Sequence, residues 1–303
     1  MNLQQLKVFA TAARSKTLSE AAEALELRQP TVSFHLKKLE EELGIELLRK
    51  QGRHVTLTDA GGALVPYARR IAALQEEASE LMKEYREQGR GKLRIGASYT
   101  PATYFLPHYM GRFQQQFPGA VPLLTVKKAA GILDLLMEYE IDAAVVSLRN
   151  EPIEGLEVIS LVEDELMLIV PPDHRLAQLE PLTIEDLQTE PFLVHEQGST
   201  SRELSDKWAR EAGLRWEIRM ELGAIETIKE SIKYKMGIGI LPRRSVQRET
   251  ELGELVMREL PGYVNERHIC LVYRKEDILA APVRNFISYL QAIVQAERLE
   301  QTK

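Results

Sequence analysis

The 303-residue sequence has little sulfur and no long apolar runs. Its single cysteine, Cys270, excludes a disulfide within the chain. No uninterrupted apolar stretch approaches the length of a membrane span, and the first residues lack the apolar core of a signal peptide. Because 44% of residues are apolar and 28% are charged, disordered and fibrous chains are also excluded. We expect a cytoplasmic globular protein of two or three domains with no membrane partner.

The motifs of common enzymes are missing as well. The six histidines form no pair with metal-ligand spacing, and no HExxH, CxxC, Walker or GxSxG motif occurs. The segment Gly237-Ile238-Gly239 lacks the third glycine of a dinucleotide-binding fingerprint. Cys270 lies in an apolar segment, which favours a core residue over a sensor thiol. We therefore predict a protein that is not an enzyme and holds no metal or cofactor.

Charge is unevenly distributed along the chain. The formal net charge of −6 argues by itself against a nucleic-acid partner. Residues 1–60, however, carry nine basic and eight acidic side chains, a net of +1, which leaves −7 on the remainder. This division indicates a small anion-facing module joined to a larger acidic body.

Residues 1–60 predict three helices followed by two strands. Residues 3–14 have helical apolar spacing, Thr17 and Glu20 fit a capping box for a second helix, and Pro30 suits the first turn of a third helix that ends at Gly44. The predicted buried stripe of the third helix is Val32, Leu36, Leu39 and Leu43. A helix-turn-helix is therefore predicted, with a protein-interaction module as the alternative.

The third helix and the strands after it carry the candidate DNA-binding side chains. Residues 47–57 predict a wing of two strands around a Gln51-Gly52 turn, with Arg53 at its tip. Phe34 is suited to a thymine methyl group or a sugar, and basic side chains to phosphates. The candidate DNA-binding residues are Gln29, Pro30, Thr31, Ser33, Phe34, His35, Lys37, Lys38 and Arg53.

The ordered pattern resembles the winged helix-turn-helix of LysR-type transcriptional regulators. The resemblance rests on Leu3, Leu6, Phe9 and residues 18–22, 29–33, 39–40, 43–44, 47–48 and 57–61. Arg28 departs from the family's Ser or Thr cap, and Phe34-His35 replaces its commoner pair, so operator preference cannot be transferred. The resemblance covers the full chain. It implies a regulator of double-stranded promoter DNA that forms a dimer or a tetramer, with RNA polymerase as a further partner.

A long helix is predicted after the wing. Thr58 and Asp59 can cap it, and Pro66 is expected to bend it near its start. Two interleaved series with a spacing of seven follow, Ala60, Tyr67, Leu74, Leu81 and Leu64, Ile71, Ala78, Tyr85. This heptad arrangement favours a dimerisation helix, and a helix packed on its own domain is the alternative.

From Lys92 onward, strands and helices alternate in two sets, which predicts two α/β subdomains with a cleft between them. This part resembles the family's effector-binding domain, which is similar to type II periplasmic binding proteins. The predicted domains are 1–58 for DNA binding, 59–88 for the linker helix and 92–303 for the effector domain. Within the last, subdomain I is 92–162 plus 267–303, and subdomain II is 163–266.

Two hydroxyl-rich segments, residues 98–103 and 197–202, lie where strands end and helices begin. Free N–H groups there favour an anion, although each hydroxyl could instead cap its own helix. We predict a small, anionic effector bound by Ser98, Tyr99, Thr100, Thr103, Ser147, His195, Ser199, Thr200 and Ser201. The alternative function is a solute-binding protein or a small-molecule enzyme built on the same α/β body.

Overall fold

The computed structural model describes residues 1–51, 54–87, 91–149, 151–275 and 279–301, without the side chains of residues 50, 51, 80, 81, 83–87 and 299–301. The chain divides into two compact units, Met1–Gly91 with Glu138–Glu140, and Lys92–Met137 with Ile141–Lys303. The first unit contains α1 (Leu3–Ala12), α2 (Leu18–Ala24), α3 (Gln29–Leu43), β1 (Leu48–Gln51), β2 (His54–Leu57) and α4 (Asp59–Glu87).

The core of the first unit joins α1, α2, α3 and the beginning of α4. Val32, Leu36 and Leu39 are buried in it, as the apolar spacing of α3 predicts. Leu43 is 40% exposed, so its predicted burial is wrong. It is the last residue of α3, and the chain turns away at Gly44 in the left-handed conformation with φ 67°.

Side chains close the ends of the helices in this unit. Thr17 accepts a hydrogen bond from the Glu20 amide at 3.2 Å, while Glu20 accepts one from the Lys16 amide at 2.7 Å. The predicted capping box is therefore only half present. Asn2 and Gln5 form a complete capping box at α1, which the sequence analysis did not identify.

One carboxylate of α3 is hydrogen-bonded to the beginning of the two-stranded wing. Glu40 of α3 accepts hydrogen bonds from the amides of Leu47 and Leu48 at 2.7 and 3.0 Å. Strands β1 and β2 are antiparallel, and the last pair in their register is Gln51 with His54. These contacts set the wing beside the C-terminal end of α3.

Helix α4 runs without interruption through Pro66. Val65 and Ala68 are buried in the core of the first unit, with Leu64 and Ile71 packed at its edge. The alternative of a helix packed on its own domain therefore holds for the first turns of α4. Three heptad positions, Tyr67, Leu74 and Ala78, are exposed, and the side chains of Leu81 and Tyr85 lie outside the described residues.

The second unit contains two five-stranded sheets. Sheet I has the strand order β4-β3-β5-β12-β6, and sheet II has the order β11-β7-β10-β8-β9. The elements are β3 (Gly91–Ala97), α5 (Tyr99–Tyr104), α6 (Leu106–Gln116), β4 (Ala120–Val126), α7 (Ala129–Met137), β5 (Ala143–Arg149), β6 (Leu156–Glu163), β7 (Leu166–Val170), β8 (Pro191–His195), α8 (Thr200–Glu211), β9 (Glu217–Leu222), α9 (Ile225–Lys233), β10 (Ile238–Pro242), α10 (Arg243–Glu251), β11 (Val256–Arg258), β12 (Arg267–Arg274) and α11 (Ala281–Gln301).

Each sheet mixes parallel and antiparallel pairs. In sheet I, β3 and β5 are parallel and β12 is antiparallel to both β5 and β6. In sheet II, β8 is parallel to β9 and β10, while β7 is antiparallel to β10. The chain passes from sheet I to sheet II between Glu163 and Leu166 and returns between Arg258 and Arg267. The predicted α/β architecture with two subdomains is confirmed.

Candidate ligand cleft and nucleic-acid interface

The outer face of α3 presents the predicted DNA-contacting side chains. Phe34 is 59% exposed, an unusual position for a large aromatic side chain. Gln29, Pro30, Lys37 and Lys38 are also exposed, whereas Thr31, Ser33 and His35 are half-buried. Because α3 buries only its opposite stripe, all of these residues share one accessible surface or its edge.

Basic and aromatic groups lie together on this face. The Lys38 ammonium is 5.8 Å from the Phe34 ring centroid, and the rings of Phe34 and His35 meet edge to face at 5.7 Å. Lys37 lies 3.6 Å from the Glu41 carboxylate in an exposed pair. Such a pair contributes little stability, so Lys37 can exchange it for a phosphate.

Arg28 at the beginning of α3 and Arg49 on β1 extend the candidate interface. Arg28 is the N-cap residue of α3 and makes no side-chain capping bond. Arg49 of β1 is exposed. Gly52 and Arg53 lie outside the described residues, so the predicted contact of Arg53 with DNA stays a prediction.

A cleft between the two sheets brings together residues from both hydroxyl-rich segments. It is lined by Ser98, Tyr99, Thr100, Lys128, Ala129, Ser147, His195, Ser199, Thr200, Ser201 and Arg267. Eight predicted residues are among them. Thr103 is not, because it lies on an exposed part of α5 one turn beyond Thr100.

The cleft is narrow, although it is open to solvent. Its volume is about 30 Å³, and a single water needs roughly 10–15 Å³. Hydrogen bonds cross it, from the Thr200 hydroxyl beside sheet II to the Ser147 carbonyl oxygen of sheet I at 3.0 Å, and from the Lys128 ammonium to the Gln197 carbonyl oxygen at 2.8 Å. Any ligand larger than a few waters must therefore separate the two sides.

The hydroxyls of the cleft have different local roles. Ser199 caps α8 by accepting a hydrogen bond from the Arg202 amide at 3.2 Å, which is the alternative considered for such residues. Ser98 accepts a hydrogen bond from the Ser147 amide at 2.9 Å and makes no capping bond to α5. Thr200 faces the cleft, as its bond to Ser147 requires.

Two cations line the cleft, and the sequence analysis identified neither. Arg267, at the beginning of β12, is only 2% exposed, and its guanidinium donates hydrogen bonds to Asp164 and to the Thr100 hydroxyl. Lys128 precedes α7 and lies 3.0 Å from the Glu196 carboxylate on the opposite side. The available signal for Arg267 was a charged residue two positions before the apolar run at 269–272.

His195 ends β8 in this cleft. Burial is the main cause that lowers its pKa from 6.5 to about 4; the charges of Arg267 and Lys128 act in the same direction, and the charge of Glu196 opposes them. The ring is therefore neutral at pH 7, with one nitrogen able to donate and the other able to accept. Its Nδ1 is buried without a hydrogen-bond partner among the described residues.

The cleft offers hydrogen bonds and positive charge rather than metal chemistry. The first turn of α8 directs backbone N–H groups at its start, where Thr200 and Ser201 line the cavity. Within the described parts of the chain, no group of three His, Cys, Asp or Glu residues could hold a metal ion. None of the described helices is long and apolar enough to cross a membrane. The arrangement is suited to a small anion.

Two family models match this chain. Residues 3–62 match the model of bacterial regulatory helix-turn-helix proteins of the lysR family, and residues 86–295 match the LysR substrate binding domain. The RuBisCO operon transcriptional regulator of Allochromatium vinosum is 30% identical over 275 residues, which are 91% of this chain and 90% of that protein.

Solved structures share the same fold. A full-length OxyR variant from Pseudomonas aeruginosa superposes with a TM-score of 0.72 at 23% identity. The superposition covers 97% of this chain and 95% of the OxyR chain. The CcmR regulatory domain of Synechocystis PCC6803, solved in complex with 2-PG, has a TM-score of 0.62 at 28% identity, covering 67% of this chain and 97% of its own. With both family models matched along its length, the chain belongs to the LysR family of transcriptional regulators.

Proposed function

We propose that this regulator binds promoter DNA through α3 and the wing, as a dimer joined along α4, and changes its DNA binding when a small anion enters the cleft. The observation that carries the effector part is the pair of buried or half-buried cations, Arg267 and Lys128, among hydroxyls at the start of α8. The proposed domains are residues 1–58 for DNA binding, 59–88 for the linker helix and 92–303 for effector binding. The proposed contacts are the DNA-binding and effector-binding residues named above.

The chemistry of the cleft favours a phosphorylated or carboxylated metabolite. A phosphate or carboxylate accepts several hydrogen bonds at once, which matches hydroxyls, backbone N–H groups and a guanidinium in one cavity. The relative CcmR was solved with 2-PG in its regulatory domain. We therefore propose 2-PG and related small acids as the first compounds to test with this chain.

The DNA-binding part is tested by fluorescence anisotropy on DNA from upstream of the gene. We expect salt-sensitive, sequence-selective binding that Arg53→Ala weakens without lowering the melting temperature. Lys7→Ala, an exposed lysine of α1, is the matched control and should bind like the wild type. Absence of selective binding by the wild type would favour the alternative, a solute-binding protein or an enzyme on the α/β body.

The effector part is tested by thermal shift with 2-PG, inorganic phosphate and small carboxylates. Thr100→Val combined with Thr200→Val should abolish the ligand-induced rise in melting temperature, since both hydroxyls line the cleft. Thr250→Val is the control, because that hydroxyl bonds within α10 to the Val246 carbonyl oxygen at 3.0 Å. A rise that persists in the double variant would exclude these hydroxyls as ligand contacts.

A further inference from the structure

An ion pair is buried where the chain crosses between the two sheets. Asp164 lies in the outgoing connection and is 1% exposed, and Arg267 begins the strand after the returning connection. The guanidinium donates to the Asp164 carboxylate and, at 3.2 Å, to the Asp164 carbonyl oxygen. The Asp164 amide in turn donates to the Arg267 carbonyl oxygen at 3.0 Å. The pair thus ties both connections together.

The same pair reaches the hydroxyls of the cleft. The Asp164 carboxylate accepts a hydrogen bond from the Ser147 hydroxyl at 3.1 Å. The guanidinium of Arg267 donates to the Thr100 hydroxyl at 3.2 Å. Because Ser147 also accepts from Thr200 across the cleft, one network joins the ion pair to both sides of the ligand site.

The pair leaves bonding capacity unused. Nε of Arg267, Oδ1 of Asp164 and Nδ1 of His195 are buried without a hydrogen-bond partner among the described residues. A buried donor without an acceptor is costly, and two of these three groups belong to residues that line the cavity. An anion in the cleft would supply the missing acceptor for the guanidinium. It would also accept from His195 Nδ1 in the neutral tautomer that carries the proton on this nitrogen.

Each cation of the cleft lining is paired with a carboxylate. Arg267 is paired with Asp164, and Lys128 is paired with Glu196. An incoming anion therefore adds an uncompensated charge unless it takes over a cation from its carboxylate. The Lys128 pair is partly exposed and screened by water, whereas the Arg267 pair is fully buried, where unbalanced charge is most costly.

We propose that Arg267 is the charge contact of the effector and that Asp164 is a built-in competitor, which holds this arginine until the anion takes it. This inference rests on the proposed function, a small anion in the cleft. The exchange takes place between the two connections that join sheet I to sheet II. When the anion binds Arg267, the hydrogen bonds between the two connections change, and these bonds hold sheet I and sheet II in their relative orientation. Asp164 is therefore a positioning residue for the response to the effector.

The experiment is isothermal titration of the full-length protein with 2-PG and with inorganic phosphate. Asp164→Asn keeps the shape of the side chain and removes its charge, so the anion should bind at least about tenfold more tightly. Arg267→Met removes the charge contact and should weaken binding by about a hundredfold or more. Glycerol, which carries hydroxyls and no charge, should bind none of the variants.

Two further variants separate binding from folding. Asp164→Asn combined with Arg267→Met leaves no unpaired buried charge, so it should fold better than either single variant and still fail to bind the anion. Glu249→Gln is the matched control, because it removes one of the two carboxylate partners of Lys229, another buried cation, outside the cleft lining. It should lower stability and leave anion affinity unchanged.

The outcomes distinguish this inference from the proposed function. Unchanged or weaker binding by Asp164→Asn, or retained binding by the double variant, would overturn the inference while the anion site itself stands. Binding by Asp164→Asn but not by the wild type would support the competitor and contradict the proposed effector. If neither binds any anion, both proposals fail.

Discussion

Gly61 lies where α4 passes the end of the wing. A Cβ at this position would be 2.1 Å from the Leu47 carbonyl oxygen, closer than any real contact. The neighbouring Gly62 has nothing within 4 Å of the same position. Glycine is therefore required at residue 61 by close packing of backbone against backbone, and residue 62 has no such requirement.

We expect Gly61→Ala to lower the free energy of unfolding of the first unit by about 1–3 kcal/mol, because the backbones must separate. Gly62→Ala, on the same helix, should raise it by up to about 1 kcal/mol, the usual helix preference for alanine. Urea unfolding followed by circular dichroism measures both. Equal effects of the two substitutions would refute the packing argument.

His195 makes a second prediction at this scale. Burial lowers its pKa from 6.5 to about 4, so between these values the unfolded chain binds a proton that the folded chain does not. The contribution of His195 to stability is complete above pH 6.5 and is lost as the pH falls towards 4. The loss is at most about 3 kcal/mol by linkage.

Unfolding free energies of the wild type and of His195→Asn at pH 7.5 and pH 5 measure this contribution. The wild type should lose more stability than the variant over this interval. An equal dependence of stability on pH in both proteins would mean that His195 takes up its proton over the same pH range in the folded and in the unfolded chain.

Among the elements, α4 has a buried face and an exposed apolar face. Val65 and Ala68 belong to the core of the first unit, and this burial accounts for the inner face of its first turns. Tyr67 and Leu74, one heptad apart, remain exposed on the outer face. In a monomer these apolar side chains stay in contact with water, and a second copy of the helix would bury them.

We expect Leu74→Lys to weaken dimerisation of the full chain, because a lysine at a heptad core position must be desolvated or left unpaired. Sedimentation velocity over a range of concentrations measures the change. Glu76→Lys is the matched control, because Glu76 is exposed and lies two residues after Leu74 on the same helix. This variant should keep the mass of the wild-type assembly. A Leu74→Lys protein that also keeps that mass would exclude this face as the interface.

For the whole molecule, the distribution of charge matters more than its sum. The net of −6 combines a value of +1 on residues 1–60 with −7 on the remainder. Lys37 and Lys38 are exposed on α3, so the few cations of the first unit are placed where phosphates can reach them. An acidic remainder should lower non-specific affinity for DNA, since it repels phosphates within a Debye length.

The salt dependence of DNA binding tests this arrangement. Replacing Lys37 and Lys38 by Gln should reduce the slope of log K against log salt by about 0.9 for each phosphate that the variant no longer neutralises. Lys7→Gln on α1 should leave the slope unchanged. An unaltered slope in the double variant would mean that neither lysine meets a phosphate.

Local rules were sufficient for much of this protein. Helical spacing, Pro30 and Gly44 predicted α3 correctly, and the alternation of strands and helices predicted the two α/β halves. Three elements were missed, the strands β6 and β11 and the helix α10. Strand β6 is not evident from its own residues, because the pairing with β12 that makes it a strand comes from residues more than a hundred positions away.

The sequence by itself determined the helix-turn-helix, the long linker helix, the family and the two hydroxyl-rich segments of the cleft, because each depends on spacing within a short stretch. Only the tertiary structure decided the charge of the cleft. Arg267 and Asp164 are 103 residues apart, and both look like ordinary surface residues until the crossing connections bring them together out of water. Burial and long-range pairing, which no local pattern encodes, turn these two side chains into part of a binding site.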